Sequence, residues 1–343
     1  MKNFIKFAFA SLLSATALSV PASAAVYVVA HPDDDILLMG PNLVNDIQSN
    51  YPTVIIILTA GDSGLGRQTK LPGVPLENQL TYNDDPANNP YYRVRLTARE
   101  EALMVWLPSA YPKNLYRTWE YFDASTPSVE KITLGNVVEY HLNLPDAFHA
   151  NGKTILQNLR DTPSFSAQDV EGLNNYTGAV LRQTIRSIIS AHNHNTPTLV
   201  INYPEPVTIG TPPADHIDHT AAGRITQLAI TEQPAYKCMW QAIYPGYPVG
   251  NINPNDPNDA QFWFPNLLEA QRAGYERAHT IMLDQGNVTP VSGGAVTGHP
   301  TWAPTTFLPG YLDRQRGTMD GFHTSFYGKT KWRAVASTGP CNL

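Results

Sequence analysis

The sequence predicts an α/β fold: a mainly parallel sheet with helices on both faces, followed by an irregular C-terminal extension. Two observations predict it. Short, continuous runs of β-branched residues alternate with segments of helical periodicity, as covered parallel strands do. Polar clusters dense in His and Asp follow the ends of two of those runs, where such sheets carry their ligands. The 343 residues are 42 % apolar and 15 % charged. That composition excludes a disordered or fibrous chain and allows one large domain or two smaller ones.

The first 24 residues read as an export signal. Lys2 and Lys6 precede an apolar run from Phe7 to Val20, and Ala22-Ser23-Ala24 forms a small-x-small cleavage site. The expected organisation is a signal at 1–24, a main domain over 25–285 and an extension over 286–343 packed on the same domain. The expected location is secreted or periplasmic. In that setting Cys238 and Cys341 most simply form one disulfide, with two buried thiols as the plainer alternative.

Along the mature chain, Ala25-Val26-Tyr27-Val28-Val29-Ala30 is a buried strand by length and composition. A helix is expected over 35–49, with Leu43, Val44 and Ile47 on one face and Pro41 in its first turn or at a kink. Residues 53–59 form a second buried strand. The Gly-, Pro-, Asn- and Asp-rich stretch 60–92 is a long insertion, 94–107 a helix, and 132–144 a strand ending in Leu144-Pro145-Asp146. An amphipathic helix covers 176–191, a buried strand 198–203, and further helices 219–231 and 266–284. The last sixty residues carry only weak strand signals.

The net charge is −6 with no basic run, which argues against a nucleic-acid partner and against a polybasic membrane patch. No segment after the signal is long enough to span a bilayer.

After the first strand comes His31-Pro32-Asp33-Asp34-Asp35, and after the strand at 198–203 comes Asp215-His216-Ile217-Asp218-His219. Asp-rich turns are common because Asp caps helices and closes turns, so either cluster alone is weak. Two such clusters at the ends of parallel strands are a stronger signal. His and Asp suit a divalent cation, and a catalytic zinc keeps three protein ligands and one open position. A carboxylate outside the ligand set can take a proton from water, and a further His can protonate a leaving group or stabilise an oxyanion.

The first cluster with its preceding Ala30 is similar to the Ala-His-Pro-Asp-Asp-Glu signature of the LmbE-like, or PIG-L, deacetylases. His216-Ile217-Asp218-His219 resembles their His-Pro-Asp-His element. Leu58-Thr59-Ala60-Gly61-Asp62, Arg99-Glu100-Glu101-Ala102 and Leu142-Asn143-Leu144-Pro145-Asp146 are weaker likenesses in the same order. The resemblance spans about 25–230. It implies a Rossmann-like fold and a zinc-dependent enzyme that removes an N-acetyl group from an amino sugar or glycoconjugate. It further implies one Zn²⁺ held by His31, Asp34 and His219, with Asp33 as general base. His216 would stabilise the oxyanion or protonate the leaving amine, and Asp218 would orient a neighbouring imidazole. Arg99 and Asp146 are the implied substrate contacts, with Arg95 an equal rival to Arg99. Asp35 and Asp62 stand where the family has Glu, and Ile217 where it has Pro. An esterase using the same centre and a non-catalytic carbohydrate-binding protein remain the alternatives.

Elsewhere the plainer readings stand. His192 and His194 suit a helix C-terminus, and the Asn/Asp/Pro runs at 83–90 and 253–259 suit turns better than calcium. Tyr82, Tyr91, Tyr92, Trp106 and the aromatics at 262–264 can stack on sugars but as easily pack on the body.

Overall fold

A computed structural model describes residues 25–62, 64, 91–111, 118–124, 127–192, 199–207, 215–234, 236, 239–246, 274, 288–290, 296–298 and 333–335. The expected export signal, most of the 60–92 insertion, all but one residue of the 266–284 helix, Cys238 and Cys341 lie outside them.

In chain order the elements are β1 (Ala25–Val29), α1 (Asp34–Leu38), α2 (Gly40–Gln48), β2 (Thr53–Thr59), α3 (Tyr91–Trp106), β3 (Thr118–Asp123), β4 (Ser128–Leu134) and β5 (Val137–Leu144). They continue with α4 (Ile155–Asp161), β6 (Ser166–Gln168), β7 (Asn175–Thr177), α5 (Gly178–His192), β8 (Val200–Pro204), α6 (Ile217–Thr231) and β9 (Trp240–Tyr244). Three short strands follow: β10 (Val288–Pro290), β11 (Val296–Gly298) and β12 (Arg333–Val335).

Eight strands form one sheet in the order β12-β9-β8-β1-β2-β5-β4-β3. The pairs β9–β8, β8–β1, β1–β2 and β2–β5 are parallel. The edges are antiparallel, with β4 and β3 on one side and β12 on the other. All five residues of β1 and all seven of β2 are buried, which explains their unbroken apolar character. Val26, Val28 and Ala30 pack with Leu156, Leu181, Ile185 and Ile225, so α4, α5 and α6 cover one face. On the other face the Tyr27 hydroxyl donates to Asp46 Oδ2 of α2 at 2.6 Å. The covered parallel centre is as the sequence predicts.

Two expected elements are corrected. The strand expected over 132–144 is a hairpin, because Gly135, at φ 60, and Asn136 make a tight turn that sets Leu134 opposite Val137. The helix expected over 35–49 is two helices. Pro41 sits in the first turn of α2, where its missing N–H costs nothing, and the chain breaks at Met39.

Three features of the sheet place the site. β1 is flanked by β2 and β8, so the strand order reverses at β1, and the ends of β1 and β8 are where such a sheet carries its ligand. The register of β2 on β5 shifts between Ile57 and Thr59, with Asn143 at φ 53 as the bulged residue. Asn tolerates this left-handed conformation, and the bulge redirects the chain into Pro145-Asp146. Finally, α6 lies close against the end of β8, since a Cβ on Gly223 would stand 2.1 Å from the Pro204 carbonyl oxygen. Gly223→Ala is expected to lower unfolding free energy by about 1–3 kcal/mol through overpacking, measured by denaturant titration. Among the described residues no helix is long and apolar enough to cross a membrane.

Candidate metal centre

The turn after β1 folds back on itself. The His31 backbone N–H donates to Asp34 Oδ2 at 2.8 Å, which brings the Asp34 carboxylate beside the imidazole of His31, 3.3 Å from Nδ1. The second cluster begins α6, with His216 as N-cap accepting the Asp218 N–H on Nδ1 at 3.3 Å. The His31, His216 and His219 rings form a triangle with centroids 4.9, 5.4 and 5.3 Å apart. His219 Nε2 lies 2.9 Å from Asp34 Oδ1. Asp34 thus lies beside both His31 and His219, 188 positions apart in the chain.

The other nitrogen of His31, Nε2, faces two carboxylates, Asp146 Oδ1 and Asp218 Oδ2, each at 3.7 Å. Asp146 stands just past the end of β5, its backbone N–H bonded to Asp62 Oδ1 at 2.6 Å. The cluster therefore draws on the chain beyond β1, β2, β5 and β8. Two overlapping triads, His31–His216–His219 and His31–Asp146–Asp218, each bring three ligand atoms within 4.8 Å of one another and could hold a metal ion.

The donor set tests that fit. His219 Nδ1 is 2.7 Å from Asp215 Oδ1, and a carboxylate partner puts the imidazole proton on Nδ1. The lone pair on Nε2 then faces the Asp34 carboxylate, an acceptor against an acceptor, and a proton or cation is needed between them. Ligand atoms around a tetrahedral zinc stand about 3.3 Å apart. Asp34 Oδ1 stands 2.9 Å from His219 Nε2 and 3.4 Å from His31 Nδ1, two edges of that size.

Electrostatics agree. Burial opposes charge on His31, yet Asp34 and then Asp146 raise its pKa well above the ordinary value. His219, against the same burial, is raised to about 10 by Asp34 and Asp215. Burial also works against the Asp34 carboxylate, but His219 and His31 hold its pKa well below the usual range. The site demands positive charge, which a divalent cation can supply in place of imidazole protons. His216 differs: burial first, then the charges of His31 and His219, lower it to about 4. Asp33 differs from Asp34: burial raises it, although Arg95 pulls the other way.

Two arginines of α3 brace the β1 turn. Arg95 Nη2 donates to Asp33 Oδ1 at 2.8 Å and Nη1 to the Gly61 carbonyl at 2.7 Å. Gly61, at φ 60, has no room for a Cβ, which would lie 2.4 Å from Arg95 Nη1. Arg99, expected at the substrate, is instead fully buried. It binds both oxygens of Asp35 at 2.5 and 2.6 Å, Glu139 Oε1 at 2.6 Å and the Pro32 carbonyl at 2.7 Å. With four of its five N–H donors spent on the protein, it clamps the turn carrying the cluster.

Sequence reading gave Asp215 no role, though an acid four residues before a His at a helix start is a visible signal. It also missed Thr154, whose hydroxyl donates to Asp218 Oδ1. Asp218, expected to orient an imidazole, lies by His31, whereas the partner of His219 is Asp215. Gly246, at φ 68, makes the seat for Asp215, since a Cβ there would stand 2.1 Å from its carboxylate. Gly246→Ala is expected to displace Asp215 and weaken zinc affinity roughly 10- to 100-fold, read by chelator competition.

No protein-family model and no curated protein matches the chain. Among solved structures, the zinc-inhibited form of teicoplanin deacetylase Orf2 is similar at 14 % identity and a TM-score of 0.41, over 93 % of this chain and 100 % of that one. A deacetylase–teicoplanin complex is similar at 14 % identity and a TM-score of 0.43, over 92 % and 99 %. A 4-carboxy-2-hydroxymuconate hydratase, GalB, from Pseudomonas putida is similar at 11 % identity and a TM-score of 0.32, over 77 % and 82 %. At these scores the likenesses are distant, and the functional reading rests on the residues of the site.

Proposed function

We propose that this protein is a zinc-dependent hydrolase that removes the N-acetyl or another N-acyl group from an amino sugar or glycoconjugate outside the cytoplasm. One observation carries the reading: a buried carboxylate, Asp34, lies between the two imidazoles His31 and His219, with a second, raised-pKa carboxylate, Asp33, next to it in the chain.

In this reading His31, Asp34 and His219 would hold the cation. The cation supplies Lewis acidity and brings the acidity of water toward neutral pH. Asp33 receives the proton of the attacking water. Burial raises its pKa, which makes it a better base than an ordinary carboxylate. Arg95 holds Oδ1 and aims the group. His216 accepts the Asp218 N–H on Nδ1, so its neutral form carries the proton on Nε2. With a pKa of about 4 it is neutral near pH 7. Its Nε2–H would hydrogen-bond the oxyanion of the tetrahedral intermediate, and the proton taken up by Asp33 would pass to the departing amine. Asp146, whose side chain is 18 % exposed, accepts from a substrate hydroxyl. Arg99 acts as a brace. The substrate class and location draw on the export signal at 1–24 together with the family resemblance.

The test uses the purified mature chain with N-acetylglucosamine oligomers, and acetyl esters in parallel. Acetate release from the amide that a chelator abolishes and zinc restores is the expected result. Ester cleavage alone, or sugar binding without release in the presence of zinc, would overturn it.

A further inference from the structure

We propose that Thr154 is a positioning residue of the metal centre, acting through Asp218; this rests on the cation-centred reading above. Thr154 is buried and is the N-cap of α4. Its hydroxyl accepts the Gln157 N–H at 3.2 Å, and Gln157 Oε1 accepts the Thr154 N–H at 2.9 Å. This reciprocal pair completes a capping box, and it uses only a lone pair of the hydroxyl. The hydroxyl proton is left to donate elsewhere. It goes to Asp218 Oδ1, on a different helix and 64 residues away in the chain.

A cap needs no such outward bond, so the contact serves Asp218. It fixes which carboxylate oxygen turns away from His31 and which faces it: Oδ2 lies 3.7 Å from His31 Nε2. A carboxylate on the Nε2 side favours the tautomer with its proton there and leaves the Nδ1 lone pair on the side of Asp34. Asp146 faces the same nitrogen at the same distance, but its side chain is 18 % exposed against 1 % for Asp218. Of the two, Asp218 is the more deeply buried and is the one bonded to Thr154. Thr154 thereby connects the start of α4 to the ligand geometry of β1.

The test measures zinc affinity of the full chain by competition with a chromophoric chelator, alongside thermal stability. Thr154→Val keeps the shape and removes the hydroxyl. It is expected to weaken zinc binding about tenfold or more, within the range of lost outer partners of metal ligands. Thr154→Ser restores affinity. Gln157→Met breaks the other half of the capping box without touching Asp218. It is expected to lower the melting temperature while leaving affinity within about twofold. Thr154→Asp, which can still accept a cap bond but donates nothing, provides a second variant and is expected to weaken zinc binding as Val does. Equal affinity in Thr154→Val and wild type, or equal loss in Thr154→Val and Gln157→Met, would overturn the proposal. Acyl release is assayed separately, so a wild type that binds zinc but releases no acyl group overturns the enzymatic reading while the affinity series still decides on Thr154.

Discussion

Asp33→Asn is expected to reduce acyl release by roughly 10²- to 10⁴-fold, the usual worth of a positioned general base, while bound zinc stays near the wild-type level. The two halves of this expectation have separate origins. Asp33 and Asp34 are neighbours in the chain, but their surroundings push them apart. Asp34 lies against His31 and His219, which hold it ionised despite its burial. For Asp33 burial prevails and Asp34 adds to it, against the pull of Arg95 and then His31, so its pKa is raised. A carboxylate kept strongly ionised suits a ligand, and one with a raised pKa suits a base. Asn keeps the size of the side chain and an oxygen that can still accept from Arg95 Nη2, so the fold and the Asp34 ligand set persist. Kinetics of acyl release and metal analysis on the same preparation check both halves. Loss of zinc in proportion to activity would exchange the two roles.

Arg99→Met is expected to lower unfolding free energy by about 3–5 kcal/mol, the cost of leaving buried charges without their partner. Asp35 and Glu139 have fully buried side chains and share this one guanidinium. Glu139 is held below its ordinary pKa, burial opposing and Arg99 the largest favourable influence. In the wild type, its contribution is present above the unfolded-state pKa of about 4.3 and fades as pH falls through the lower folded value. Burial already raises Asp35 in the wild type, and without Arg99 it raises Asp35 further and lifts Glu139 as well. The variant is then most stable where they are protonated and loses stability as pH rises. The stability difference between wild type and variant should therefore be larger at pH 7.5 than at pH 5, by denaturant titration at each pH. A difference independent of pH would mean that packing, and not charge, accounts for the loss.

The parallel centre of the fold was legible because β1 and β2 are buried on both faces and so read as unbroken apolar runs. The meeting of the two His/Asp clusters was legible because strand ends in such sheets converge on a crevice. The hairpin of β4 and β5 was not, since Gly135-Asn136 is a short interruption in a period-two pattern that continues on both sides. Arg99 misled for a related reason. The resemblance implied a substrate contact for it, while its partners Asp35 and Glu139 lie 64 and 40 residues away. Local pattern carries no information about such pairings. Asp215 was within reach, being one helical turn before His219. Thr154 was half legible: Thr-x-x-Gln announces a cap, but its partner Asp218 belongs to another helix.

The central claim is that His31, Asp34 and His219 close around one cation. Zinc titration of the wild type, His219→Ala and His216→Ala against a competing chelator tests it most directly. The account predicts one zinc per chain in the wild type, affinity reduced roughly 10²-fold or more in His219→Ala, and near-native affinity in His216→Ala. Equal losses in the two variants, or a wild type that takes up no zinc, would contradict it.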